Sequence, residues 1–380
     1  MESIYFSDEQ NMLRDQIRRF VEDEVLPNGT AWEDDGMIPR ETLRRMGGLG
    51  FFGIRVAEEY GGGADNALGS VVLAEECGRS TFGGFAATVL VHTDMAGPHL
   101  FRYGSDAQKK RYGPAVLAGE KITAIAVTEP DAGSDVAGIR TTARRDGGDW
   151  VLNGSKIFIT NGVHADLYFV AAKTDLEAKG SRGISMFIVE KGTPGFKPAR
   201  ALDKHGWRCS DTAELSFEEC RIPAENLLGE ENKGFYAIMS NFQNERLVLG
   251  AMSMGAAARA LELTLDYVRQ RNAFGGVLWD KQAIRQRLAM RLAEVEAGLR
   301  LVYHAAWLDA QGTDCVREMS MLKAFCGELV NGVMYDCVQF HGGMGYIQET
   351  AVERMARDAR VDNIGGGATE VMLEEVAKRV

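Results

Sequence analysis

Ala126-Val127-Thr128-Glu129-Pro130-Asp131-Ala132-Gly133-Ser134-Asp135 is where the chain changes character. An apolar run from Ile122 to Val127 reads as a strand and stops at a hydroxyl, a carboxylate, a proline and a glycine. The backbone must turn there, exposing N–H groups beside small side chains. Such a turn can hold the anionic or polar edge of a cofactor, or it can be a plain loop. Upstream, the pattern is helix joined by Gly-rich turns. Downstream, as far as Phe217, the apolar residues fall in short β-type runs, and beyond Gly234 long helices return.

The short runs predict strands at Ile122–Val127, Thr141–Arg145, Trp150–Leu152, Lys156–Thr160, Leu167–Ala172, Ile184–Val189 and Ala213–Phe217. Asp146-Gly147-Gly148-Asp149 and Asn153-Gly154 are expected to turn the chain between neighbours. So little sequence separates these strands that no crossover helix fits, which predicts an antiparallel barrel or sandwich. Phe158 and Thr160, two apart, share a face. An aromatic ring beside a hydroxyl suits a flat heterocycle, and equally suits a core aromatic with a cross-strand Thr.

Ahead of this segment, Ser7-Asp8-Glu9-Gln10 has the form of a capping box and opens a helix expected to run toward Glu24 and stop at Pro27. A second helix, around Glu41 to Met46, ends at Gly47-Gly48. The following Gly48-Leu49-Gly50-Phe51-Phe52-Gly53 matches a dinucleotide fingerprint by letter but follows a helix, not a strand, so it reads as a helix terminus. Ala67 to Cys77 and Phe85 to Tyr103 are helices rich in small residues, and Ser105 caps another that ends at Leu117.

After the polar hinge Glu230 to Gly234, a long helix begins near Tyr236 and passes Tyr267. Leu247, Met254, Leu261 and Val268 recur at seven-residue spacing, with Gly250, Ala251 and Gly255 between them. This is a bundle helix built for close neighbours. On helix logic alone, Glu245-Arg246 within it is a solvated pair. Arg271-Asn272-Ala273-Phe274-Gly275-Gly276 breaks the helix, and Gln282 starts the next. The helix Cys315–Gln339 closes on His341-Gly342-Gly343-Met344-Gly345-Tyr346. Arg354, Arg357 and Arg360 form a stripe that reads as charged surface. Gly365-Gly366-Gly367 then lets backbone lie against a ligand.

Composition narrows the class. A chain of 380 residues with 45% hydrophobic content and 8 prolines is a folded protein of two or three domains. Its net charge of −11 argues against nucleic acid as a partner. No run approaches the roughly 18 uninterrupted apolar residues of a membrane span, so stable membrane insertion is not expected. The opening residues have neither a secretion nor a transit pattern, which makes a bacterial-type cytoplasmic protein the expectation. Six scattered cysteines suit free thiols, and six dispersed histidines suggest no metal site.

Taken together, five spaced motifs resemble the acyl-CoA dehydrogenase family over nearly the whole chain. They are Val127-Thr128-Glu129-Pro130-x-Ala132-Gly133-Ser134-Asp135, Ile159-Thr160-Asn161-Gly162, Arg271-x-Ala273-Phe274-Gly275, Gln339-x-His341-Gly342-Gly343-x-Gly345-Tyr346 and Arg357-Asp358-Ala359-Arg360. The resemblance implies a mostly α, α+β fold: an N-terminal helical domain (1–120), a middle β domain (121–228) and a C-terminal four-helix bundle (229–380). It implies FAD, a homotetramer arranged as a dimer of dimers, acyl-CoA as substrate and an electron-transferring flavoprotein as acceptor.

Carried over by position, Ala126, Thr128, Gly133, Ser134, Phe158, Ile159 and Thr160 correspond to flavin contacts. Phe158 would lie against the ring and Thr160 near the hydride-accepting nitrogen. Arg271, Phe274, Gln282, Gln339, Gly342 and Gly343 correspond to residues that hold the pyrophosphate and adenosine across a subunit boundary. Ala368, Thr369 and Glu370 fall on the flavin side, where Ala368 replaces the family's usual Thr. Ser134, Ser181, Arg182, Tyr236, Gln243, Asn244, Arg246 and Gly367 fall where the family contacts acyl-CoA.

Many members carry the catalytic Glu in a C-terminal Glu-Gly-Thr segment, and here that place is Gly366. The long-chain and isovaleryl-type subgroup instead carries Glu immediately before Arg on the long helix, as Glu245-Arg246 does. The resemblance therefore implies Glu245 as base, with a pKa raised toward neutrality by burial, and the Gly366 N–H as a donor to the thioester oxygen. The implied reaction is α,β-dehydrogenation of medium- or long-chain acyl-CoA, straight or branched, in fatty-acid β-oxidation or branched-chain catabolism. Alternatives are an isovaleryl, short-branched or citronellyl-type substrate, an oxygen-using oxidase, or a non-catalytic acyl-CoA or flavin-binding protein.

Overall fold

Helices of the first third and of the last third pack into one continuous apolar core, and a sheet of the middle third closes one side. The computed structural model describes residues 4–380; Met1 to Ser3, read above for a targeting signal, lie outside them. The first helices are α1 (Asp8–Phe20), α2 (Leu26–Asp35), α3 (Arg40–Gly48), α4 (Ala67–Gly78), α5 (Gly83–Leu90), α6 (Gly97–Tyr103) and α7 (Asp106–Leu117). Both serine caps form: the Ser7 side chain accepts from Gln10 N–H at 3.2 Å, and Ser105 accepts from Gln108 N–H at 3.2 Å. Pro27 does not stop the first helix. A π-helical turn, Val21–Val25, links α1 to α2, and Pro27 sits in the first turn of α2, where a missing N–H leaves no bond unmade. Gly48 ends α3, as its letters suggested, and opens no nucleotide loop.

The strands are β1 (Thr123–Ala126), β2 (Thr142–Asp146), β3 (Asp149–Thr160), β4 (Leu167–Lys173), β5 (Ile184–Glu190), β6 (Phe196–Ala201), β7 (Thr212–Pro223) and β8 (Leu227–Leu228). Their order is β6-β7-β3-β2-β4-β5-β8, and β1 pairs with β4. Most pairings are antiparallel, but β1 runs parallel to β4, with Thr123 opposite Leu167. The β2–β3 hairpin intervenes between them, so the chain returns in the same direction without a crossover helix. Asn153-Gly154 is not a hairpin turn. It lies inside β3 at a shift of register, where a Cβ on Gly154 would meet Thr141 Oγ1 at 2.5 Å.

The C-terminal part comprises α8 (Gly234–Gln270), the hairpin β9 (Asn272–Ala273) and β10 (Gly276–Val277), α9 (Gln282–Ala310), α10 (Val316–His341), α11 (Ala351–Ala359) and α12 (Thr369–Ala377). Leu247, Met254, Leu261 and Val268 are all fully buried, as the spacing predicts. α8 crosses α4 at backbone distance: the Met252 carbonyl oxygen lies 2.2 Å from where a Cβ on Gly78 would be, and the Glu75 carbonyl oxygen 2.1 Å from that of Gly255. The arginine stripe is only in part surface: Arg360 is exposed and Arg357 half-buried. Arg354 is buried, lies over the Phe82 ring at 3.8 Å and donates to the Thr81 carbonyl at 2.9 Å.

Candidate active site

The site forms where a π-helical turn, Val91–Ala96, lies between β1 and α8. On one side the Thr123 N–H at the start of β1 donates to His92 Nδ1 at 3.1 Å. On the other, Asn241 Nδ2 of α8 donates to the carbonyls of Asp94 (3.1 Å) and Met95 (2.9 Å). Asn244 Nδ2 donates to the same Asp94 carbonyl at 2.8 Å. The wider π spacing disturbs the helical ladder there, and the two asparagines satisfy its carbonyls.

Glu245, next on α8, is only 7% exposed, which overturns the solvated pair that helix periodicity suggested. Asn241 Nδ2, one turn earlier, is 3.4 Å from its Oε1. Burial pushes the Glu245 carboxyl up to about 8, while the Asn241 contact and the Arg246 charge oppose the shift. The group is thus poised to exchange a proton near neutral pH.

Gly366 is brought beside it. A Cβ on Gly366 would lie 2.0 Å from Leu249 Cδ1, and Leu249 is one turn beyond Glu245 on α8. Gly366 and Gly367 have φ of +65° and +108°, so this loop excludes side chains both by space and by backbone conformation. A carboxylate occupies the α8 position and none can occupy the loop position without moving Leu249.

The turn at residues 128–135, at the end of β1, is held by its own buried network. Val127 and Thr128 carbonyls accept from Lys156 Nζ (2.9 Å) and Ile157 N–H (3.0 Å). Lys156, fully buried, also reaches Glu129 Oε1 at 2.7 Å, and Glu129 accepts from the N–H groups of Arg140 (2.5 Å) and Thr141 (3.0 Å). Burial opposes ionisation of Glu129, but these partners outweigh it and hold the carboxyl below its ordinary range. Two residues along β3, Phe158 sits at a register shift with φ +60° and is 66% exposed, so it is no core aromatic. Ala126 and Ile159 are buried beneath this face, Thr128 and Thr160 are half-buried, and Gly133 and Ser134 are exposed at its rim.

Other expected residues divide in two. Tyr236 and Arg182 are exposed and Ser181 half-buried; the start of α8 is fixed where Gly234 packs against Ser185 of β5. Gln243 and buried Arg246 meet at 3.4 Å, with Arg246 Nη1 also 3.4 Å from Ser320 Oγ. Asn244 has its side chain engaged by Asp94 and Arg55. Arg271, Phe274, Gln282, Gln339, Gly342 and Gly343 form a separate exposed cluster, joined where Tyr267 OH donates to the His341 carbonyl at 3.3 Å. Arg271 follows the end of α8, 26 positions from Glu245 (271 − 245). At 1.5 Å per residue that is about 39 Å, too far for one chain to bring both to one ligand edge. Sequence reasoning missed Asn241, Leu249 and the Lys156–Glu129 pair; Asn241, at i−4 from Glu245, carried the one readable signal.

Comparison with known proteins identifies this arrangement. Profiles described as "Acyl-CoA dehydrogenase, N-terminal domain", "middle domain" and "C-terminal domain" match residues 7–120, 124–220 and 232–380. The chain belongs to the acyl-CoA dehydrogenase family. It is 42% identical over 378 residues to a long-chain specific acyl-CoA dehydrogenase, mitochondrial, of Sus scrofa, covering 99% of this chain and 87% of that one. An acyl-CoA dehydrogenase structure from Geobacillus kaustophilus superposes with TM-score 0.95 at 41% identity, covering 100% of this chain and 99% of that one. A Mycobacterium smegmatis glutaryl-CoA dehydrogenase in complex with FADH2 superposes with TM-score 0.93 at 31% identity, covering 99% and 95%.

Acyl-CoA dehydrogenases are FAD flavoproteins, and the residues present here fit that group. The exposed Phe158 at positive φ offers a platform for a planar ring. The Thr369 Oγ1, at the start of α12, is buried without a protein partner, while the Ala368 cap position supplies no side-chain bond. A cofactor oxygen or ring nitrogen would satisfy that hydroxyl.

Proposed function

We propose that this chain dehydrogenates saturated acyl-CoA thioesters of medium or long chain, straight or branched, to trans-2-enoyl-CoA in fatty-acid or branched-chain catabolism. The observation that carries the reading is the base: a buried carboxyl at Glu245 pushed up to about 8, beside a left-handed glycine position where a side chain would displace Leu249. Glu245 removes the proton next to the thioester carbonyl. The Gly366 N–H donates to the thioester oxygen as negative charge develops there. FAD, when bound against Phe158, Thr128 and Thr160, supplies the acceptor for the hydride from the neighbouring carbon. Burial of Glu245 keeps water from competing for its proton. Ser134, Ser181, Arg182 and Tyr236 face the CoA side, with Arg246 and Gln243 fixing the base's stretch of α8.

The same reading places the remote cluster in a neighbouring subunit's site. Arg271, Phe274 and Gln282, with Gln339, Gly342 and Gly343, then grip the pyrophosphate and adenosine of a partner's FAD. Apolar residues exposed on α9 and α10, among them Met290, Met321, Phe325 and Tyr335, supply surface for that assembly, a homotetramer. Electrons leave to an electron-transferring flavoprotein in the cytoplasm.

Anaerobic titration with saturated acyl-CoAs of increasing length and branching tests this by flavin bleaching. The chain that bleaches most effectively names the substrate class, and the Glu245→Gln variant should bind acyl-CoA yet bleach at least about 10³-fold more slowly. Unchanged bleaching in that variant would remove Glu245 from the base role.

A further inference from the structure

Beside the Gly366 loop lies a buried cation to which the proposed chemistry assigns no part. Lys323 of α10 is 2% exposed. Its Nζ donates to the carbonyls of Asp362 (2.5 Å) and Gly367 (3.2 Å), which bracket Gly366, and its Cε lies 3.8 Å from where a Gly366 Cβ would be. Among the described residues no carboxylate oxygen lies within 4.0 Å of this ammonium. The Asp362 carboxyl turns instead to Ser253 Oγ at 2.9 Å, and burial raises its pKa, which weakens it as a counter-charge.

Burying an ammonium without a direct ion pair is unfavourable and lowers the Lys323 pKa, and two loop carbonyls with the more distant Asp362 charge offset that cost. A neutral amide or hydroxyl could pin two carbonyls at smaller desolvation cost. A positive charge within a few ångströms of Gly366 does something a neutral donor cannot: it stabilises negative charge forming on the oxygen that accepts from that residue's N–H. The loop also needs an outside anchor, since Gly366 and Gly367 have no side chains and adopt left-handed backbone.

We propose that Lys323 is the positioning residue of the thioester-oxygen side of the site, fixing the Gly366 amide and holding a positive charge beside it. It acts through the loop and does not touch substrate. The proposal rests on the dehydrogenase reading above and adds a residue to it.

The test uses the FAD-loaded enzyme with a 3-oxoacyl-CoA, whose bound enolate absorbs in the near ultraviolet and reports charge stabilisation without turnover. Lys323→Met should raise the pH midpoint of enolate formation by about one unit or more and slow anaerobic bleaching by about 10- to 100-fold, with KM changed far less. Lys323→Gln, which keeps a donor and loses the charge, should show the same midpoint shift with a smaller loss of thermal stability, and it decides the matter if the Met variant fails to fold. An unchanged midpoint in either folded variant overturns the proposal, even where the rate falls. Failure of the wild type both to bleach and to ionise the ligand would instead sink the dehydrogenase reading, and this inference with it.

Discussion

Burial at Glu245 serves catalysis and opposes stability through the same shift. The carboxyl moves from an ordinary 4.5 to about 8, so the folded state holds a proton that the unfolded chain releases. Stability from this group is full below pH 4.5 and falls as pH rises toward 8. Glu245→Gln should therefore melt higher than wild type at pH 7, by roughly 3 kcal/mol of unfolding free energy, with the gap closing toward pH 5. The wild-type kcat/KM should climb with pH and level off above about 8, since only the ionised base accepts the proton. A flat profile would contradict the burial argument. Lys156 offers a separate check: Lys156→Met strands the buried Glu129 and should cost ~3–5 kcal/mol and loosen FAD retention, measured by melting and by flavin release on dilution. The Glu-Arg dipeptide was legible as a family mark, and its burial followed from that resemblance and not from the helix's own pattern. α8 has neighbours on nearly every face, including the π-helical turn at Asp94, and no periodicity in its own letters announces that enclosure.

At the scale of elements, close approach governs what the site can tolerate. Gly255→Ala should destabilise by about 1–3 kcal/mol, because its Cβ would meet the Glu75 carbonyl oxygen at 2.1 Å, and thermal melting reads this directly. The small residues of α8 announced such a crossing, though not that α4 would be its partner. Strand runs and serine caps were likewise readable, since each rests on local chemistry. Pro27, Asn153-Gly154 and the parallel β1–β4 pair were misread because each answer depends on distant chain: a π turn that realigns a helix, Thr141 pressed against Gly154, and a hairpin inserted between two strands. Arg354 deceived in the same way. Its charge suggested solvent, while Phe82 and Thr81 take its guanidinium inside.

Across the whole molecule, α8 carries Glu245 near one end and leads to Arg271 beyond the other, about 39 Å away along the helix. The expected residues were therefore all nameable from sequence, but their division into two clusters follows only from helix length. Phe274, 93% exposed at positive φ, lies in the second cluster, the surface proposed above to meet a neighbouring subunit.

That separation has a genetic consequence. In the proposed assembly, where each site takes Glu245 from one subunit and Arg271 from its neighbour, Glu245→Gln and Arg271→Ala subunits are each inactive or weakened alone, yet their two defects fall in a single site when the two pair. One site of such a mixed pair inherits both lesions and the other inherits neither. Co-refolding equal amounts should restore about a quarter of the sites, and two damaged alleles would complement each other within one cell.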